Sequence, residues 1–336
     1  MRRTNNVKFL TKFDLASIFP KEIGNVLLYF SRWFALLLLF IFLSFICRPY
    51  FFSIRNIINI LRQASLLYII SIGVTLTILS KGIDLSIGGV LAFSSCIAAS
   101  FLKQRIPMCV GILVGLGLGS LCGLANGAIV ALIKVHPFIA TYAMMWISRG
   151  IAYVYMKGNI IFGFSPEFRF LGGGRILGIP TPIMFAGFIF LIFYFLSYHT
   201  KLGKAIYGVG ANMEAARLLG VNVNETLIIT YGLSGLLAGV GGLLYISRLN
   251  AAEPAIGELF MLETIAATIL GGTPFRGGEG GIINTISGVL MITLTINGMN
   301  MLGVSIFWQQ FVLGTVVVMG ILANQYIGRL LYVSQR

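Results

Sequence analysis

Residues 107–133 read PMCVGILVGLGLGSLCGLANGAIVALI and contain no charged side chain. A helix of this length extends about 40 Å, which is enough to cross the roughly 30 Å hydrocarbon core of a bilayer. Glycine recurs at every fourth position of the stretch: Gly111, Gly115, Gly119, Gly123 and Gly127. Because positions four apart share one helix face, the pattern predicts a groove that allows close helix–helix packing in lipid.

The whole chain is strongly apolar. Of its 336 residues, 57% are hydrophobic and only 10% are charged, whereas about a quarter of the residues of a soluble domain are charged. A bilayer demands that backbone groups pair within helices or closed barrels. The sequence therefore predicts an all-α, polytopic membrane protein.

Ten apolar stretches are candidate spans, and several are short or interrupted by glycine. They lie at about 27–47, 64–80, 86–102, 107–133, 137–156, 180–198, 226–246, 258–272, 280–300 and 304–327. We predict about ten transmembrane helices, some of them broken or re-entrant. The endings TILSKG at 77–82 and TILGGT at 268–273 hint at a two-fold internal repeat. Chance similarity between apolar segments explains them equally well.

The basic residues set the expected orientation. With both termini inside, 14 of the 24 lysines and arginines fall in cytoplasmic segments, 9 fall outside and Arg149 lies within a span. This bias follows the positive-inside rule. We expect a cytoplasmic basic arm at 1–26, a membrane domain at 27–328 and a cytoplasmic tail at 329–336. The net charge of +14 is explained by these loops, so nucleic acid is not an expected partner.

The segment at about 199–225, called the coupling loop below, is the longest one expected in the cytoplasm. Its middle, from Asn212 to Leu219, has the pattern of a short amphipathic helix. Asn212 is suited to the N-cap and Gly220 to the C-terminal end. The expected apolar side consists of Ala215, Ala216, Leu218 and Leu219.

Sequence signals for catalysis or cofactors are weak. The nearest string to a phosphate-binding loop, LGKA at 202–205, lacks both the upstream glycine loop and the following Ser or Thr. The four cysteines form no CxxC pair and there are two histidines, so we expect neither a metal nor another cofactor. If transport is driven by ATP, a separate subunit must hydrolyse it.

Charges near the membrane are costly and need individual interpretations. Arg149 either faces a polar pathway or pairs with a carboxylate, or it extends to the outer interface, and the functional and interfacial interpretations have equal weight. Asp84, at a turn between two spans, is interpreted mainly as a helix cap. Glu253, Glu258 and Glu263 are spaced so that they would not share a helix face, which argues against a carboxylate relay. The expected lack of a deeper carboxylate also argues against coupling to an ion gradient.

Neutral polar residues within the spans suit a sugar pathway, since amides and hydroxyls exchange hydrogen bonds with sugar hydroxyls. The candidates are Asn126, Thr141, Asn297, Asn300 and Gln309, together with Gln310 and Asn324. For each of them, interhelical hydrogen bonding is the more frequent explanation.

Several motifs together resemble the permease subunits of ribose-type ABC importers over about residues 50–326. They are KGIDLSIGG at 81–89, HPFIAT at 136–141, GAN at 210–212, AARLLGVNV at 215–223, LSGLLAG at 233–239, AATILGGT at 266–273 and GGEGG at 277–281. The resemblance implies a non-enzymatic permease in the bacterial inner membrane that carries a pentose or hexose. It also implies a second permease copy, an ATPase subunit, an extracytoplasmic sugar-binding protein and surrounding lipid.

The same resemblance implies that the coupling loop docks on the ATPase. The residues expected to take part are Gly210, Asn212, Glu214, Ala215, Arg217, Leu218, Gly220 and Val221. A nucleoside or a sugar-like quorum signal remains an alternative solute, and an ion-coupled carrier a less favoured mechanism. An enzyme acting on lipid is disfavoured, because His136 and His199 are far apart and form no catalytic cluster.

Overall fold

The computed structural model describes residues 21–104 and 106–333. Most of the predicted N-terminal arm, residues 1–20, lies outside the described part, as do residues 334–336 of the predicted tail and the side chain of Asn324. Most of the described chain is helical and its strands are only two residues long, which confirms the predicted all-α class.

Thirteen helices follow one another in the described chain. They are α1 Lys21–Ile46, α2 Ile54–Leu79, α3 Ile87–Lys103, α4 Met108–Ala131, α5 Pro137–Met156, α6 Pro166–Gly173, α7 Thr181–His199, α8 Lys201–Ala211, α9 Met213–Leu218, α10 Val223–Leu249, α11 Phe260–Leu270, α12 Ile282–Met301 and α13 Ile306–Val333. Four two-residue strands form two small ladders: β1 Ile161–Phe162 pairs antiparallel with β4 Ala251–Ala252, and β2 Arg175–Ile176 with β3 Ile179–Pro180.

Each predicted span corresponds to a helix, and α5 has the predicted bounds. Five helices of the described chain (α2, α4, α7, α10 and α12) are long and apolar enough to cross a membrane, and four further apolar segments are shorter. The predicted total of ten spans therefore stays a prediction. Helix α2 begins ten residues before the predicted span, at a cap in which the Ser53 hydroxyl accepts from the Asn56 N–H at 3.2 Å.

Helices α2 and α10 form the centre of the bundle. The glycine face of α4 packs along α10, as predicted. A Cβ placed on Gly119 would lie 2.5 Å from the Gly235 carbonyl oxygen, and one on Gly127 would lie 2.6 Å from the Ile228 Cα. Only glycine permits this approach, since real Cβ contacts are not this short. The close packing buries the glycine-rich middle of α10 against α2, α3 and α4.

Hydroxyl groups join three helices inside the bundle. The Thr75 Oγ1 atom lies 2.7 Å from Thr285 Oγ1 and 3.3 Å from Thr268 Oγ1, so α2, α11 and α12 share one buried polar cluster. Helices α2 and α11 carry the two similar TIL endings. Nothing else in the described chain bears on the predicted internal repeat.

Candidate functional site

Helix α9 lies at the tip of the coupling loop. Asn212 caps it, since its side-chain oxygen accepts from the Ala215 N–H at 3.0 Å, and Gly220 ends it with φ 82°. The predicted short capped helix is therefore confirmed. Its predicted apolar side is divided: Ala216 is buried, whereas Leu218 and Leu219 are 88% and 85% exposed.

The exposed tip has both apolar and charged character. Glu214 and Arg217 are exposed beside the two leucines, and their charged groups are 3.8 Å apart. Beneath them, Met213, Ala216 and Val221 pack against the starts and ends of neighbouring helices. The Val221 N–H also donates to the Ala216 carbonyl at 3.0 Å, which fixes the chain after the helix. Leu218 and Leu219 therefore project from a well-packed base, and they belong to none of the hydrophobic clusters of the described residues.

The rest of the coupling loop is more regular than predicted, because residues 201–211 form helix α8. Gly210, near its end, is buried, and a Cβ there would overlap the Leu79 carbonyl oxygen. The Gly278 N–H donates to that same oxygen at 2.9 Å. We call this contact of Leu79, Gly210 and Gly278 the three-way junction. It connects the coupling loop to the end of α2 and to the turn between α11 and α12.

A buried network surrounds Asp84, which is 1% exposed. Its carboxylate accepts from the Ser86 N–H at 2.9 Å, the Ser86 hydroxyl at 2.6 Å and the Ser234 hydroxyl at 2.7 Å. The Asn126 amide donates to the same Ser86 hydroxyl at 2.8 Å, and the Thr141 hydroxyl donates to the Ile83 carbonyl at 3.2 Å. The network ties the α2–α3 turn to α4, α5 and α10.

This network corrects one expectation and bears on three others. The expectation that a deep carboxylate is lacking was wrong, because Asp84 is buried. Asp84 does bind the N–H two residues ahead, at the start of α3, as a capping residue would. Asn126 and Thr141 are completely buried and bonded within the chain, which favours interhelical hydrogen bonding over a pathway role for both.

The other predicted pathway residues lie toward the ends of α12 and α13 remote from the coupling loop. Asn297 and Asn56 exchange two hydrogen bonds, at 2.9 and 3.2 Å. The Gln309 amide donates to exposed Asn300 at 2.8 Å and to the Val304 carbonyl at 2.9 Å. Their place on the pathway stays a prediction.

Two cavities open at the end of the molecule opposite the coupling loop. The outer cavity, of about 820 Å³, is lined by Arg55, Asn56, Asn59, Arg62 and Arg175, among others. The inner cavity, of about 290 Å³, is lined by Gln63, Tyr245, Arg248, Phe260, Glu263 and Thr293, among others. The Arg248 guanidinium lies 3.4 Å from the Asn59 side-chain oxygen and so bridges the two cavities.

The three glutamates differ in environment. Glu258 pairs with Arg149, whose guanidinium also lies 5.8 Å from the Trp146 ring centre. Arg149 thus pairs with a carboxylate, one of its predicted alternatives. Glu253 and Glu258 precede helix α11, so the helical spacing used above does not apply to them. The conclusion that the three form no shared site holds for the described chain, because Glu263 lines the inner cavity alone.

Residues 56–321 match the family model described as "Branched-chain amino acid transport system / permease component". The chain belongs to this permease family. The permease is 42% identical over 280 residues to the ribose import permease protein RbsC of Escherichia coli K12, which covers 82% of this chain and 87% of the relative. It is 40% identical over 311 residues to RbsC of Haemophilus influenzae, covering 91% and 96%.

A third relative is named for a hexose. The D-allose transport system permease protein AlsC of Escherichia coli K12 is 34% identical over 281 residues, covering 83% of this chain and 86% of the relative. No solved structure matches the chain. The permease is thus a multi-pass protein of the bacterial inner membrane, and ATP hydrolysis belongs to a separate subunit.

The residues of the two cavities were missed in the sequence. Asn59, Arg62 and Gln63 have the spacing of one helix face, but they precede the apolar stretch that marked α2. Arg248 and Glu263 lie at the ends of two different helices. Only the packing of α2, α10, α11 and α12 brings these five side chains together.

Proposed function

We propose that this permease forms the membrane pathway of an ATP-driven importer for a monosaccharide. Two relatives named ribose import permeases, 40–42% identical over more than four-fifths of the chain, carry the proposal. The third relative, named for D-allose, keeps the solute class open to both pentoses and hexoses. The family description names branched-chain amino acids, but it belongs to a family model. The individual relatives of high identity are named for sugars, and their names carry more weight for the solute.

The proposed partners are an ATPase subunit at the coupling loop and an extracytoplasmic sugar-binding protein at the outer cavity. Leu218 and Leu219 support the first contact, because exposed leucines beside charged residues are typical of a docking surface with an apolar centre and a polar rim. The three-way junction supports coupling, since a movement of α8 reaches α2 directly and reaches α11 and α12 through the turn that joins them. Those helices line the inner cavity.

The proposal extends to a second permease copy and to lipid. Large apolar side chains are exposed along α5 and α13: Phe138, Tyr142, Trp146, Phe307, Trp308 and Phe311. Apolar faces of this extent need cover from lipid or from another apolar surface. The ribose-type resemblance implies that a second permease copy covers part of these faces. The ratio of permease to ATPase subunits in the purified importer measures whether two copies are present.

Reconstitution tests the function directly. We expect vesicles that contain the permease, its ATPase subunit and its binding protein to take up D-ribose only with ATP, with competition by D-allose and not by L-leucine. Vesicles with the permease alone should take up none under a proton gradient. Uptake driven by a gradient, or competition by L-leucine alone, would contradict the proposal.

The docking surface is tested by a double variant, Leu218→Ser with Leu219→Ser. We expect the affinity for the ATPase subunit to fall roughly ten-fold or more, because two apolar anchors are lost from one contact. The control is Leu177→Ser, which changes a leucine that is 96% exposed at the opposite end of the molecule. Equal binding of the ATPase subunit by the double variant and by the control would show that α9 is not the docking element.

A further inference from the structure

We propose that the inner cavity is a monosaccharide-binding chamber in which Glu263 accepts hydrogen bonds from sugar hydroxyls. The proposal rests on the function proposed above and adds a site to it. The chamber is lined by the half of α2 remote from the coupling loop, the end of α10, the start of α11 and the end of α12. Since α10 begins at the coupling loop, its length places the chamber about 40 Å from α9.

Glu263 is the first observation that indicates a ligand. The residue is half-buried in a wall that includes Leu66, Leu67 and Phe260, and its carboxylate makes no hydrogen bond or ion pair to any described residue. An ionised carboxylate withdrawn from water is costly unless it is paired or hydrogen-bonded. A solute that offers several hydroxyl donors satisfies both carboxylate oxygens, as a monosaccharide does.

Donor groups stand opposite the carboxylate. The Arg248 guanidinium has five N–H donors, and the structure uses one of them in a long bond to Asn59. The Gln63 amide lines the same chamber and makes no hydrogen bond within the described chain. The chamber therefore offers both donors and acceptors, which is what neutral hydroxyl groups require.

Two aromatic rings provide the apolar part of the wall. The rings of Tyr245 and Phe260 are 5.2 Å apart between centres and nearly perpendicular. Such rings present flat faces against which the C–H side of a sugar ring can pack. A chamber that joins aromatic faces to a few convergent polar groups has the usual composition of a small-molecule site.

The volume agrees with a single monosaccharide. The chamber volume of about 290 Å³ is close to the lower end of the roughly 300–1,000 Å³ range of ligand pockets, which suits a small solute. On the outer side, Asn59 and Arg62 lead into the larger cavity, where a binding protein would release the sugar. On the inner side, buried Leu66 and Leu67 close the chamber toward the middle of α2.

Glu263→Gln in the reconstituted importer tests the assignment. We expect the maximal rate of D-ribose uptake to fall roughly ten-fold or more, because the amide replaces one of the two acceptor oxygens with an N–H donor. ATP hydrolysis stimulated by the loaded binding protein should change less than two-fold. The matched control is Glu253→Gln, which alters a glutamate of the same segment outside both cavities.

Failure of the proposed chamber and failure of the proposed function give different experimental results. Uptake by Glu263→Gln at the wild-type rate would overturn the chamber while leaving the importer intact. A wild-type complex that hydrolyses ATP but takes up no D-ribose would instead overturn the proposed function. Slow uptake by Glu253→Gln as well would show a general effect of lost charge and would also overturn the chamber.

A labelling experiment covers the case in which Glu263→Gln fails to assemble. Leu259→Cys places a thiol in the chamber wall, and native Cys109, which is exposed elsewhere, serves as the internal reference. We expect D-ribose, delivered by the binding protein, to slow maleimide labelling at position 259 at least about three-fold and to leave Cys109 unchanged. Equal labelling rates with and without sugar would overturn the chamber.

Discussion

Asp84 is a buried carboxylate whose partners are hydroxyl and N–H groups, with no ion pair among the described residues. Three donors from two segments of chain converge on it, two from Ser86 and one from Ser234. Those donors are themselves buried, so water cannot replace the carboxylate. We infer that Asp84 fixes the turn between α2 and α3 against α10, and that its role is structural.

Asp84→Ala should therefore destabilise the permease strongly. Three buried donors lose their acceptor, and we expect a loss of about 3 kcal/mol or more in unfolding free energy. Asp84→Asn is the matched variant: its oxygen still accepts from Ser86 and its amide can donate to the Ser234 hydroxyl, so we expect less than half that loss. Thermal unfolding of the purified protein in detergent measures both, and equal losses would contradict the hydrogen-bonding role.

Single residues were predictable from sequence where the relevant partner is close in the chain. The cap at Asn212 depends on Ala215, three residues away, and was predicted correctly. The environment of Glu263 depends on α2, α10 and α12, which are distant in sequence, and it was not. Asn126 shows the same limit: its type suited both a pathway and an internal bond, and only its burial against Ser86 distinguishes them.

Helix α8 is the element that connects the proposed ATPase contact to the rest of the permease. It ends at the three-way junction, where buried Gly210 lies against the last turn of α2 and against Gly278. A glycine is required there by space, because any Cβ would overlap the Leu79 carbonyl oxygen. The junction therefore holds α8 in one position relative to α2 and to the turn between α11 and α12.

Gly210→Ala should weaken coupling. The added methyl must displace α8 from α2, at an overpacking cost of about 1–3 kcal/mol, so we expect fewer sugars imported per ATP hydrolysed and an uptake rate reduced roughly ten-fold. The matched control is Gly208→Ala in the same helix, where a Cβ meets nothing within 4 Å. Parallel assays of uptake and hydrolysis measure the ratio, and a wild-type ratio in Gly210→Ala would refute the coupling role.

Elements were predictable where apolar length marks them. The bounds of α5 and α4 follow their apolar stretches closely, and the glycine face of α4 correctly indicated close packing. The first ten residues of α2 were missed because arginines and asparagines continue the helix beyond its apolar part. Helix α8 was missed since its lysines and glycines lower the apolar signal, although the Thr200 hydroxyl caps it by accepting from the Gly203 N–H at 3.1 Å.

At the scale of the whole molecule, the proposed ATPase surface and the proposed sugar chamber lie at opposite ends of the bundle. This polarity gives the permease its proposed direction, because the binding protein and the ATPase must act on opposite sides of the membrane. Composition was sufficient to predict residence in a bilayer. It could not settle the number of spans, since helices α3 and α11, of 17 and 11 residues, are shorter than a full crossing.

The orientation of that polarity rests on the 14 to 9 bias of basic residues, and labelling tests it. In a Cys109→Ser background, Leu177→Cys and Leu218→Cys each place a thiol at a position that is 96% or 88% exposed, at opposite ends. We expect a membrane-impermeant maleimide to label position 177 in intact spheroplasts and position 218 only after permeabilisation, as the positive-inside rule requires.

The background variant without an added cysteine is the control for that experiment. Cys47 and Cys96 are buried and Cys122 is partly buried, so we expect little labelling of the control before or after permeabilisation. Labelling of position 218 in intact spheroplasts would show that the permease has the reverse orientation in the membrane. It would then place the leucines of α9 on the side where no ATP is available, so the coupling loop could not be the ATPase contact.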